Sequence, residues 1–137
     1  LAVALRALGE PGVGAERLRL DVAIDGGLEL PARTCLNLYR IAEEAVGRAA
    51  RRLQATSARI RIERAGPAMV RLEIACDGQD RSARFDPADL WLRTIQYRAE
   101  ITGGRLELRT AADGTHRVAC ELPVEINRIP TGEAVRV

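Results

Sequence analysis

Lysine is absent from this chain: all 21 of its basic residues are arginine, set against 19 acidic ones. An all-arginine cation set reflects the base composition of a gene before it reflects function, and a formal net charge of +2 is too small to mark a nucleic-acid-binding protein. Long apolar runs are also missing, which excludes a membrane span within this segment. Histidine occurs once, as His116, so a zinc site would need an unusual ligand set. The three cysteines, Cys35, Cys76 and Cys120, are widely spaced and odd in number, and neither a disulfide framework nor a metal knuckle can be built from their spacing. A reducing cytosol is the simpler assumption. What remains is 137 residues, 47% apolar and 29% charged. That is the composition of one folded soluble domain, and it leaves little room for a two-domain enzyme.

The order of elements follows from periodicity. LAVALRALGE reads as the end of a helix that begins upstream, stopped by Gly9, Pro11 and Gly12. Leu18, Leu20, Val22 and Ile24 alternate with polar residues as a half-buried strand does. From Pro31, the residues Cys35, Leu38, Ala42, Ala45, Ala49 and Leu53 recur every three or four positions, as in a long amphipathic helix. Ala58, Ile60 and Ile62, then Val70, Leu72 and Ile74, alternate on either side of Gly66-Pro67 and predict an antiparallel hairpin. Asp86-Pro87 has the chemistry of a helix start, and Gly103-Gly104 that of a stop after Ile101. Leu106 and Leu108, then Val118, Cys120 and Leu122, flank the turn residues Asp113-Gly114 as a second hairpin. Residues 124–137 have no clear period and read as a C-terminal tail or linker after a domain spanning 1–123. Strands and helices do not alternate as a doubly wound parallel sheet requires. The fold class expected is therefore α+β, a two-layer α/β sandwich with helices on one face of a mixed, mostly antiparallel sheet.

Four stretches, YRIAEEAVGRAARRL, LEIACDGQDRSARFD, LWLRTIQYRAEITGGRLEL and DGTHRVACELP, resemble in order and spacing the C-terminal ATP-binding domain of bacterial two-component sensor histidine kinases. The nitrate-sensor type, whose dimerisation helices immediately precede this domain, is the closest likeness. The resemblance covers roughly Leu1 to Pro123. It implies the Bergerat fold of the GHKL group, shared with the DNA gyrase B-subunit and heat-shock chaperone ATPases, and ATP with Mg²⁺ as the cofactor pair.

The residues at the family's functional positions differ. The family's helical Glu falls on Glu44, and the Asn that helps hold Mg²⁺ falls on Arg48. A guanidinium has five donors and no acceptor, so it cannot ligate a hard cation. Spacing of four on a helix would let Glu44 and Arg48 form an ordinary surface ion pair. The Asp that reads the adenine amino group falls on Cys76, a weak neutral acceptor. Of the two glycines of that pattern, the first is kept as Gly78 and the second is Asp80. A one-residue shift making Asp77 the reader would turn it to the opposite side of the strand from Val70, Leu72 and Ile74. The glycine-rich phosphate lid corresponds to Asp89-Leu90-Trp91-Leu92, which adds charge and bulk where the backbone should approach phosphate. The family's Gly-Thr finds a match in Gly114-Thr115, yet strand register counted back from Leu122 puts His116 at the Thr position.

The resemblance thus implies a degenerate, pseudo-ATPase domain that binds Mg-ATP weakly and acts in signalling by contacts with upstream dimerisation helices and a response regulator or similar protein. The full-length protein would be a homodimer, cytoplasmic in this part and open to membrane anchoring elsewhere, with neither nucleic acid nor membrane as a partner of this segment. An active kinase domain with a divergent pocket, and a partner-binding module, are the alternatives. Trp91 reads as packed against the core, Cys76 as a buried small hydrophobe and His116 as a polar strand residue. The arginines at 51, 52, 59, 61 and 64 read as a solvated face.

Overall fold

The computed structural model describes residues 1–9, 18–78, 88–124 and 134–136. Its elements, in chain order, are α1 (Ala2–Ala7), β1 (Arg19–Ile24), β2 (Glu29–Pro31), α2 (Ala32–Arg51), β3 (Ser57–Gly66), β4 (Met69–Cys76), α3 (Leu90–Ile101), β5 (Arg105–Thr110), β6 (His116–Pro123) and β7 (Ala134–Arg136). Five strands form one sheet in the order β1-β3-β4-β6-β5. β1 and β3 run parallel, with α2 between them in the chain, and every other pair in this sheet is antiparallel. The fold is α+β, as the periodicity required.

Alternation decides which face of the sheet meets the helices. Ile60 and Ile62 of β3, Val70, Leu72 and Ile74 of β4, and Val118, Cys120 and Leu122 of β6 are all buried in one layer. Against it lie Leu38, Ile41, Ala42, Ala45, Val46 and Ala49 of α2 and Leu92, Ile95 and Ala99 of α3. Each Leu or Ile so removed from water contributes on the order of 1.5–3 kcal/mol. The intervening residues carry arginine and glutamate on the other face. There Arg71 reaches Glu73 at 3.4 Å and Glu121 at 3.2 Å, and Arg117 reaches Glu73 at 2.7 Å. Arg59 and Arg61 likewise face Asp21 and Glu63. Half-exposed pairs of this kind stabilise little one by one, but Asp21 and Glu63 offset the charge of Arg59 and Arg61.

α3 starts later than the Asp86-Pro87 signal suggests. Those two residues lie outside the described ones, while Asp89 is extended and stands at the N-cap of a helix that begins at Leu90. At its other end, Gly103 adopts φ +76°, its N–H bonds to the Glu100 carbonyl and the Gly104 N–H to that of Ala99. That is a Schellman closure, in which the left-handed residue is glycine because a Cβ there would be strained. The C-terminal stretch, aperiodic in sequence, supplies a short strand: β7 pairs antiparallel with β2, Leu30 opposite Val135. Among the described residues no helix is long and apolar enough to cross a membrane.

Candidate functional site

Spacing along α2 places Arg48 on the same inward stripe as Ile41 and Ala45, so a charged side chain occupies a position that otherwise holds core residues. It is 8% exposed. The flat guanidinium lies over the indole ring of Trp91, 4.6 Å from its centroid, and its Nη2 stands 3.7 Å from Asp89 Oδ2. The same carboxylate meets Arg52 Nη2 at 3.9 Å and accepts a hydrogen bond from Trp91 Nε1 at 3.3 Å. Desolvation lowers the pKa of Arg48, opposed chiefly by the Asp89 charge. The surface ion pair expected between Glu44 and Arg48 is not what forms. Arg48 turns inward and its partner among the described residues is Asp89 of a different element, while half-buried Glu44 remains one turn away on α2. Trp91 packs at the edge of the core.

Cys76 and His116 end the inward rows of two neighbouring strands, directly opposite each other in an unbroken register. Both are buried, His116 at 3% exposure. Burial, with Asp77 adding to it and Arg48 opposing, pushes the Cys76 thiol up to about 11, so it stays protonated at neutral pH and offers no anionic acceptor. His116 Nδ1 lies 3.2 Å from Thr110 Oγ1. Gly78 sits against the imidazole: a Cβ built there would come within 3.1 Å of its Cδ2 and Nε2. Arg48, Cys76, Gly78, Trp91 and His116 thus belong to the helix-facing side. Thr115 does not. It lines a groove on the opposite face with Ser57, Arg59, Asp77 and Arg117, because one step along a strand reverses the side. Asp80 lies outside the described residues.

Asp77 is committed elsewhere. Its carboxylate accepts hydrogen bonds from the backbone N–H groups of Thr56 at 2.8 Å and Ser57 at 2.9 Å and from the Thr56 hydroxyl, tying the end of β4 to the start of β3. Burial would raise its pKa, but these donors outweigh burial and hold it below the usual aspartate value. Asp77→Ala is expected to destabilise the fold by about 1–2 kcal/mol. Because the folded-state pKa is the depressed one, this contribution is complete above the unfolded value near ~4 and is lost as pH falls through the folded value. Urea unfolding of wild type and Asp77→Asn from pH 7 to pH 3 checks it: the stability gap should close toward acid.

This donor set does not fit a metal-bound triphosphate. Arg48 is a buried cation without an acceptor atom, and the Cys76 thiol is neutral. The partner that sequence reasoning missed is Asp89 as the anchor of Arg48. Its one local signal was an aspartate immediately before an apolar helical run, which argues for a cap and not for a contact with α2.

The mixed sheet with helices on one side matches the fold of histidine kinase ATP-binding domains. Several solved structures share it with this chain. The histidine kinase domain of the blue-light-activated kinase of Erythrobacter litoralis EL346 is 18% identical with a TM-score of 0.67, over 90% of this chain and 57% of that one. The histidine kinase domain of the Escherichia coli osmosensor EnvZ is 20% identical with a TM-score of 0.64, over 93% of this chain and 86% of that one. Full-length ShkA, solved in complex with AMPPNP, is 18% identical with a TM-score of 0.70, over 90% of this chain and 30% of that one. At such identities the likeness is one of fold, and the chain spans little more than half of the Erythrobacter domain structure. No protein-family model and no curated protein matches the sequence.

Proposed function

We propose that this chain is the ATP-binding-type domain of a two-component sensor histidine kinase of the nitrate-sensor type, with a degenerate nucleotide site, and that it works by docking and not by phosphoryl transfer. The carrying observation is Arg48. At the position where the resemblance expects a magnesium ligand, a buried guanidinium is stacked on Trp91 and held by Asp89. Phosphoryl transfer depends on metal-assisted charge stabilisation and on positioning of the phosphates. A fixed cation with no acceptor atom supplies no ligand to a metal. The neutral Cys76 thiol supports the same reading, since it replaces a carboxylate that would accept from the adenine amino group.

In this reading the phospho-accepting histidine lies on dimerisation helices outside this segment, and His116, buried in β6 against Gly78, takes no part in phosphotransfer. Partners are those helices and a response regulator or similar signalling protein, within a cytoplasmic part of a homodimer. Titration calorimetry with ATP and 5 mM Mg²⁺, an arbitrary excess of roughly that order, tests the proposal. No saturable binding tighter than about 1 mM is expected, with or without metal. Metal-dependent binding at micromolar affinity would overturn it and favour an active kinase with a divergent pocket.

A further inference from the structure

Among the described residues five large apolar side chains stand more than half exposed, and three of them lie on one helix: Leu90 at 78%, Tyr97 at 63% and Ile101 at 57%. They are not scattered around α3. With 3.6 residues to a turn all three fall within about 40° of arc, on the side away from buried Leu92, Ile95 and Ala99. Apolar residues exposed singly need no explanation, whereas an aligned row of them marks a surface that meets something.

Thr94 completes the row. The spacing 90, 94, 97, 101 is four, three and four, the 3.5-residue period of a seam along which two helices pack side by side. The Thr94 hydroxyl donates to the Leu90 carbonyl at 2.9 Å, so covering this position strands no donor.

The charges beside the seam name its occupant. Arg93 and Glu100, both exposed, flank it on the same side, one heptad apart. When a second α3 is laid antiparallel, Leu90 stands opposite Ile101 of the second copy and Thr94 opposite its Tyr97. Arg93 of each copy then comes beside Glu100 of the other, and the two-fold axis makes that opposite-charge contact occur twice. In parallel packing Arg93 would instead meet Arg98 of the second helix across the seam, like against like. The row and its flanks are thus self-complementary in one direction only.

We propose that the outer face of α3 is a contact between two copies of this domain, antiparallel and two-fold symmetric, with Leu90, Thr94, Tyr97 and Ile101 as its seam and Arg93 paired to Glu100 across it. A face of this size is well below the roughly 800 Å² per partner of a stable interface. The free chain therefore associates weakly, with a Kd on the order of 0.1–1 mM. Within the homodimer proposed above, two tethered copies would meet at an effective concentration of about that order. The contact uses neither Arg48, Cys76 nor His116, so it stands whether or not the chain binds Mg-ATP.

Sedimentation equilibrium of the 137-residue chain from about 10 μM to about 2 mM tests the proposal. The mean mass of wild type should rise with concentration from that of one chain toward that of two. Tyr97→Glu is expected to raise the Kd at least about tenfold. Arg93→Glu and Glu100→Arg should each raise it about fivefold, and an equimolar mixture of these two variants should recover wild-type affinity, because the mixture recreates both opposite-charge contacts. All three side chains are exposed, and circular dichroism checks that the variants fold. Should Tyr97→Glu unfold, Ile101→Gln reads the same seam. A wild-type chain that stays monomeric throughout would overturn the proposal and leave the seam to a different helix. So would association that Tyr97→Glu or its replacement leaves unchanged, or a mixture that associates no better than its components. Calorimetry with Mg-ATP, which decides the functional reading, moves none of these outcomes.

Discussion

Truncation of Leu72 to alanine is expected to remove about 3–4 kcal/mol of stability, enough to abolish much of the margin on which a domain of this size folds. Leu72 is fully buried in β4, the middle strand of the five, between Ile62 of β3 and Cys120 of β6. Helices cover it, so the side chains around the gap are held from three directions and cannot collapse into it. The loss therefore includes a cavity contribution beyond the transfer of the deleted methyl groups. Chemical denaturation should show a lower midpoint with an unchanged slope. Leu36→Ala on α2 is the control: Leu36 is 53% exposed, and its truncation should move stability by less than about 0.5 kcal/mol.

Gly104→Ala is expected to be of similar size, about 3 kcal/mol, for the opposite reason. A Cβ at Gly104 would fall 2.5 Å from the Glu121 carbonyl oxygen as well as on the Leu122 side chain. The carbonyl belongs to β6, and the strand can withdraw only by breaking its pairing with β5. Relief is thus unavailable through a side-chain rotation. Gly103 next to it makes a useful contrast. It has φ +76° and its nearest neighbour to a built Cβ is Pro123 Cγ at 3.5 Å, so Gly103→Ala meets backbone strain of only about 1 kcal/mol. Thermal unfolding of the two variants side by side distinguishes steric exclusion from conformational preference. If Gly103→Ala proved the more damaging, the close approach of Gly104 to β6 would be wrong.

Arg48 shows where reasoning along the chain stops. A helical wheel puts it on the stripe of Ile41 and Ala45, and that stripe is indeed the buried one. Spacing of four offers Glu44 as a partner, and for an isolated helix that is the best available pair. In the folded chain α3 lies beside α2, and the start of α3 brings a carboxylate and an aromatic ring to the inward side, where Glu44 does not reach. The competing contact wins because it satisfies a charge that packing has already taken out of water. Thr115 and His116 differ for a simpler reason. Both are plausible readings of a Gly-Thr motif, but counting alternate residues back from Leu122 reaches His116, and it is His116 that faces the helices.

Local chemistry in the chain was sufficient for the element order, the hairpins, the glycine stop after α3 and the apolar side of each strand, since alternation and helical period are properties of neighbours and need no knowledge of the rest. The choice of partners required the assembled layers. Which carboxylate neutralises Arg48, which face carries Thr115, and the pairing of β7 with β2 all join residues far apart in sequence. Such contacts are selected by how α2, α3 and the sheet stack, and by the free energy of leaving a charge or a backbone group unmatched once they have done so.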